Sequence, residues 1–157
     1  MHISVQDLLV AAAIVVLVIA FFVVRRQSAQ PVIRASAVLT PGALNPDVTQ
    51  ATIRSTICVH GWTKTVRPPV DYTNNLKLKQ MRDYGETGPP SHYQEDHLIS
   101  LELGGAPNDP RNLWPEPYPR ASAVDRIENE LNAKVCSGAM SLAEAQRKEW
   151  ELKHRDG

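Results

Sequence analysis

From Leu8 to Val24 the chain reads LLVAAAIVVLVIAFFVV, with no charge and no helix breaker. A run apolar on every side cannot form one face of a surface element. Its length sits at the lower end of the roughly 17–25 residues of a membrane-spanning helix. Arg25 and Arg26 close it. The preceding MHISVQD lacks the Lys or Arg of a signal peptide, and the apolar core exceeds the usual length of about 7–15 residues. Ala35-Ser36-Ala37 resembles a cleavage site but lies far from the end of that core. The reading is a single-pass membrane anchor, or an uncleaved signal, over residues 1–26. Residues 27–40 are mostly polar or small, with one Pro, and form a linker, which leaves 41–157 for one folded domain.

Lys plus Arg and Asp plus Glu each number 17, so the formal net charge is zero. Removing the anchor takes away only Arg25 and Arg26 against Asp7. This balance excludes the global basic footprint of a nucleic-acid binder, so polyanion binding would have to come from a local patch. Cys58 and Cys136 form no C-x-x-C pair, which argues against a cysteine zinc site. Composition leaves open a long-range disulfide or two buried thiols. Arg25 and Arg26 place the domain in the cytoplasm by the positive-inside rule, whereas a disulfide needs the oxidising side.

The local signals predict an α+β domain. Asp47 suits the N-cap of a short helix through Ile57. Trp62 to Val70 reads as an extended piece, because Pro68 and Pro69 bar a central strand or helix there. Thr73 is set to cap a helix to Tyr84, stopped by Gly85, with Leu76, Leu78, Met81 and Tyr84 on its apolar side. His97 to Leu103 alternates loosely and suits a hairpin arm, with Gly104-Gly105 as the turn. Val124, Ile127, Leu131 and Val135 mark an amphipathic helix over Ala121–Val135. Ser141 and Glu144 form a capping box for a last helix with Leu142, Ala145 and Leu152 inside and Trp150 on its flank.

Within the hairpin region, Asp96 and His97 are adjacent. A carboxylate is a hard oxygen ligand suited to Mg²⁺, and a neutral imidazole takes a proton from water near neutral pH. Neighbours on a strand point to opposite faces, so the two share one site only if the strand ends or bends there. Asn112 is a candidate brace, because its amide both donates and accepts. The plainer reading makes all three ordinary turn and cap residues.

EDHLISLELGGAPNDPRNLWPEP resembles the core of the HNH (His-Me finger, ββα-metal) endonucleases, specifically a small bacterial branch. CVHGWTKTVRPPVDYT and VCSGAMSLAEAQRKEW are similar to the same branch, so the resemblance runs from about Leu39 to Trp150. It implies a ββα-metal finger, a small hairpin plus helix, surrounded by further helices. It implies a divalent ion, Mg²⁺ with Mn²⁺ as the alternative, bound beside a scissile phosphate of nucleic acid, DNA ahead of RNA. Asp96 would be a metal ligand, His97 the general base, and Asn112 the residue that orients the hairpin loop and the His97 ring. The last His of the pattern falls near Ala121 here, which binds no metal. Val124-Asp125 stands where Lys-Asp is frequent, and Ser100 where Pro is usual. The replacement ligand is Asp125 or Glu128, which share a helix face at i, i+3; otherwise both are helix-surface acids. The paired cysteines of similar exported proteins imply a Cys58–Cys136 bridge and an extracytoplasmic domain tethered through the N-terminal helix. The departures carry an alternative: a catalytically lapsed fold that binds or supports at the cell envelope. No protein partner is inferable.

Lys77, Lys79 and Arg82 are candidate phosphate contacts, with Lys64 and Arg67 upstream, against a solvated helix face. Trp62 and Trp150 read as core, while Trp114 is open between core and base stacking. His92 reads as a surface-loop residue that would at most assist a phosphate. His60 and His154 carry no usable signal.

Overall fold

In the computed structural model, residues 34–118 and 120–155 are described, together with residues 14–16 and 18. The expected anchor therefore lies outside the described residues except for those four. Among the described residues no helix is long and apolar enough to cross a membrane.

The folded part opens earlier than Pro41. Ala35 and Thr40 are buried. The Ala35 N–H donates to the Lys153 carbonyl at 3.1 Å, and the hydroxyls of Thr40 and Tyr84 meet at 2.7 Å. Ala35 and Thr40 thus anchor this segment on the domain, while Ala37, Val38 and Leu39 between them are exposed. Gly42–Ala43 and Leu44–Asn45 then run beside Gly104–Ala106, closed by an isolated bridge between Leu44 and Gly105.

Asp47 caps no helix. Only a single 3-10 turn, Ile53–Ser55, forms there, because the Thr52 hydroxyl folds back on the Asp47 carbonyl at 2.8 Å and completes a turn. Where an extended piece was expected, a short helix α1 (Trp62–Val66) starts from Gly61 at φ +81° and ends before the prolines. Pro68 and Pro69 therefore separate two helices. Helix α2 (Val70–Asp83) begins directly after Pro69, earlier than Thr73, since a proline is tolerated at a helix start. It buries Met81 and Gln80, while Leu78 is exposed.

The hairpin consists of β1 (Tyr93–His97) and β2 (Leu113–Pro117), antiparallel, with His97 opposite Leu113 and Asp96 opposite Trp114. Strand β1 thus ends where a hairpin arm was expected to begin. Leu98, Ile99, Leu101 and Leu103 are instead buried in the loop that joins the strands. Their side chains fill core from a winding backbone, including a 3-10 turn at Leu101–Leu103. Helix α3 (Arg120–Ser137) follows β2, and α4 (Leu142–Arg155) packs against it. Ser141 accepts from the Glu144 N–H at 3.2 Å, so its side chain caps α4.

Two apolar clusters hold these parts. The larger joins Val48, Ile53 and Ile57 to the hairpin loop and to Leu131, Val135, Leu142 and Ala145 of the two long helices. The smaller centres on Leu98 and Trp114, with Tyr84 and Trp150 at its edge. Cys58 and Cys136 form a disulfide with Cα atoms 5.5 Å apart, tying the N-terminal turn to the end of α3. Trp114 is fully buried, with the Arg120 guanidinium 5.4 Å above its ring, so it is a core residue and stacks no base.

Candidate functional site

The end of β1 is what lets Asp96 and His97 share a site. Alternation points Gln94 and Asp96 to the face that carries Trp114 and Glu116 on β2. His97 is the last strand residue, and the chain turns away after it. Both side chains line one cavity of about 300 Å³, together with Arg67, Glu102, Asp125 and Glu128.

His97 Nε2 lies 2.9 Å from the Pro107 carbonyl oxygen. A carbonyl only accepts, so Nε2 carries the proton and donates. In the neutral ring Nδ1 is then the unprotonated, accepting nitrogen. Burial pushes the His97 pKa below its ordinary 6.5, although the Pro107 hydrogen bond and Asp96 oppose the shift. The ring is neutral at pH 7, with a lone pair at Nδ1.

Asn112 is wholly buried and spans the loop. Its Oδ1 accepts from the Ile99 N–H at 2.9 Å, and its Nδ2 donates to the carbonyls of Ile99 at 3.0 Å and Ala106 at 3.1 Å. None of these hydrogen bonds goes to the His97 ring. It fixes Ala106, and the adjacent Pro107 carbonyl fixes the ring. Gly105 makes this closure possible: a Cβ there would stand 1.7 Å from the Ile99 carbonyl oxygen. Gly104, at φ +77°, supplies the left-handed turn just before it.

Asp96 faces a buried cation. Lys153, completely enclosed on α4, donates from Nζ to Asp96 Oδ2 at 2.8 Å, to Glu128 Oε1 at 2.6 Å and to the His97 carbonyl. Glu149 Oε1 lies 3.5 Å away. Burial alone would raise the Asp96 carboxyl. The Lys153 ammonium, with hydrogen bonds from Glu116 and Lys153 and the nearby His97, overcomes this and holds it well below the ordinary range. Burial alone would likewise lower Lys153, but Asp96, Glu128, Glu149 and Glu116 raise it well above its usual value.

The surrounding acids move the other way. Burial and the Asp96 charge push Glu116 up to about 9, against the pull of Lys153 and Arg120. Its Oε1 pairs with the Arg120 guanidinium, and its Oε2 has no hydrogen-bond partner among the described residues. Glu149 accepts from the Ser100 N–H at 3.0 Å and is raised by burial despite Lys153. Burial also raises Glu128, against the pull of Lys153. The Ser100 N–H is a donor that a proline at this position would not have.

The structure thus brings Asp96, His97, Asp125 and Glu128 to one cavity. Glu128 is buried and bonded to Lys153, whereas Asp125 is exposed at the rim. Lys77, Lys79 and Arg82 do not line it. Lys77 donates to the Tyr93 carbonyl at 3.1 Å, Lys79 pairs with Asp83, and Arg82 is exposed. His92 is exposed, and His154 is engaged with the carbonyls of Trp150 and Thr40. Arg67 lines the cavity and makes no ion pair among the described residues.

Sequence reasoning missed Lys153, Glu149 and Glu116. The stripe Leu142, Ala145, Glu149, Lys153 follows the helical period and was legible as one face, but its charged half reads as solvated surface. Glu116 shares a face with Trp114 by strand alternation.

A divalent ion between Asp96 and Glu128 would need the oxygens that Lys153 holds. Among the described residues no group of three or more His, Cys, Asp or Glu is arranged to hold a metal ion. The space between Asp96 Oδ2 and Glu128 Oε1 is filled by Lys153 and is not open to the expected Mg²⁺ or Mn²⁺. Compared with known proteins, the chain matches no family model, no curated protein and no solved structure.

Proposed function

We propose that this domain hydrolyses phosphodiester bonds of nucleic acid, with His97 as general base. The observation that carries the proposal is His97: its ring is neutral and fixed through Nε2–H on the Pro107 carbonyl, and the residue lines a polar cavity. In this reading Nδ1 takes the proton of a water as that water attacks phosphorus. Such a base contributes about 10²–10⁴-fold. Arg67 supplies positive charge for the phosphate at the cavity wall. Asn112 acts as a positioning residue through Ala106 and Pro107. No step is assigned to a metal ion. The hairpin, its braced loop and α3 support the ββα arrangement of the HNH endonucleases as the fold-level reading, with DNA ahead of RNA as substrate. The near-zero net charge accords with weak, sequence-independent binding that falls as salt rises. The disulfide supports an oxidising, extracytoplasmic location, and the apolar N-terminal run a membrane tether.

A second reading has its own observation. Lys153 occupies the position between Asp96 and Glu128, and Ala121 is buried where a third ligand would stand. That favours a lapsed catalyst acting as a binding or structural module at the envelope. The full chain in mild detergent, incubated with plasmid and single-stranded nucleic acid in Mg²⁺, Mn²⁺ or EDTA, separates the two. Cutting that disappears in His97→Ala supports the hydrolase. Absence of cutting by a folded chain supports the module.

A further inference from the structure

We propose that Lys153 is the built-in cation of this site. It stands in for a divalent metal, excludes one from the wild-type protein, and covers a latent oxygen-donor cage that its removal exposes. The argument rests on the geometry around Nζ. An ammonium has three donors and no acceptor. All three are used, on Asp96 Oδ2, Glu128 Oε1 and the His97 carbonyl oxygen, and Glu149 Oε1 completes a ring of four oxygens from β1, α3 and α4.

These are the hard oxygen donors, two carboxylates and a backbone carbonyl among them, that Mg²⁺, Mn²⁺ or Ca²⁺ takes. The nitrogen lies 2.6–2.8 Å from the two carboxylate oxygens. No second cation enters that space while the first is there. Lys153 cannot swing aside either: its side chain is completely enclosed, and its helix is held at the same residue by the Ala35 N–H on the Lys153 carbonyl. The lysine also serves the neighbouring chemistry. By holding the His97 carbonyl and the Asp96 carboxylate together, it fixes the end of β1 that aims the His97 ring.

Direct metal binding tests this without any substrate, so its outcome is separate from that of the nuclease reading. Mn²⁺ is titrated into the chelator-treated full chain in detergent, and free Mn²⁺ is followed by electron paramagnetic resonance. The wild type is expected to show no saturation below about 1 mM, the weak end of oxygen-donor sites. Lys153→Ala is expected to bind one equivalent about tenfold or more tightly than that, to gain thermal stability as Mn²⁺ is added, and to lose both in Asp96→Asn/Lys153→Ala. One equivalent bound by the wild type and lost in Asp96→Asn would overturn the proposal. So would a folded Lys153→Ala that binds nothing. If that variant does not fold, the comparison of wild type with Asp96→Asn decides alone.

Discussion

At the residue scale, His97 makes two predictions through one property. Its folded pKa lies below 6.5, because burial disfavours the charged ring. The base therefore stays unprotonated below the pH at which a free histidine titrates. In a pH–rate profile of the wild type, the acid limb of cleavage should have its midpoint below the ordinary histidine value of 6.5. The sign for stability is the same. Below pH 6.5 the unfolded chain takes up a proton that the folded ring refuses, so stability declines as pH drops until the folded pKa is reached. Urea midpoints measured from pH 8 down to 5 should fall in wild type and less in His97→Ala. Asn112 is legible in the sequence as a brace but not in its detail. Asn112→Ala strands the buried N–H and carbonyl of Ile99, each worth about 1–3 kcal/mol when unpaired, and frees the part-buried Ala106 carbonyl. Chemical denaturation should report that loss, and activity should fall further than stability alone explains, because the Pro107 carbonyl is set free.

At the scale of elements, the three long helices were legible, the Asp47 helix and α1 were misread, and the hairpin was displaced. Ala121–Val135 shows its period in the sequence, and α3 spans Arg120–Ser137 around it. Its inner face nevertheless runs through Glu128 and leaves Ile127 partly exposed. An apolar stripe alone does not reveal that a buried lysine on another helix makes a glutamate the better inner residue. The loose alternation of His97–Leu103 reads as a strand because buried loop leucines and strand leucines look alike. The feature that separates them is the Gly104-Gly105 pair, which allows the backbone to fold over Ile99. Gly105→Ala should therefore cost more than the usual glycine-to-alanine change: its Cβ meets backbone, which must move. A clear drop in thermal midpoint is expected, where no drop would mean the loop is less tightly closed. The disulfide joins two elements across 78 residues of sequence. The chain-entropy relation assigns it about 4–5 kcal/mol, and guanidinium unfolding with and without reductant measures the difference.

At the scale of the whole molecule, the balanced charge leaves the site to local arrangement. That arrangement draws on β1, the loop and β2, and on α3 and α4, which are far apart in sequence. Asp96 and Lys153 lie 57 residues apart and meet only in the fold. Motif spacing finds the acid and the imidazole because they are neighbours in the chain. It cannot find their counter-ion. The same fold explains why Lys77, Lys79 and Arg82 line no part of the cavity while Arg67, at the end of α1, does. Removing the Arg67 charge in Arg67→Ala should weaken substrate binding and flatten its salt dependence with little change in folding. Binding measured by fluorescence anisotropy across a salt series reads both.

The most direct measurement is cleavage of plasmid and single-stranded nucleic acid by the full chain, wild type beside His97→Ala, with both variants verified as folded. The account predicts cutting by the wild type and a loss of about 10²-fold or more in the variant. Equal cutting by the two, or none by a folded wild type, would contradict it.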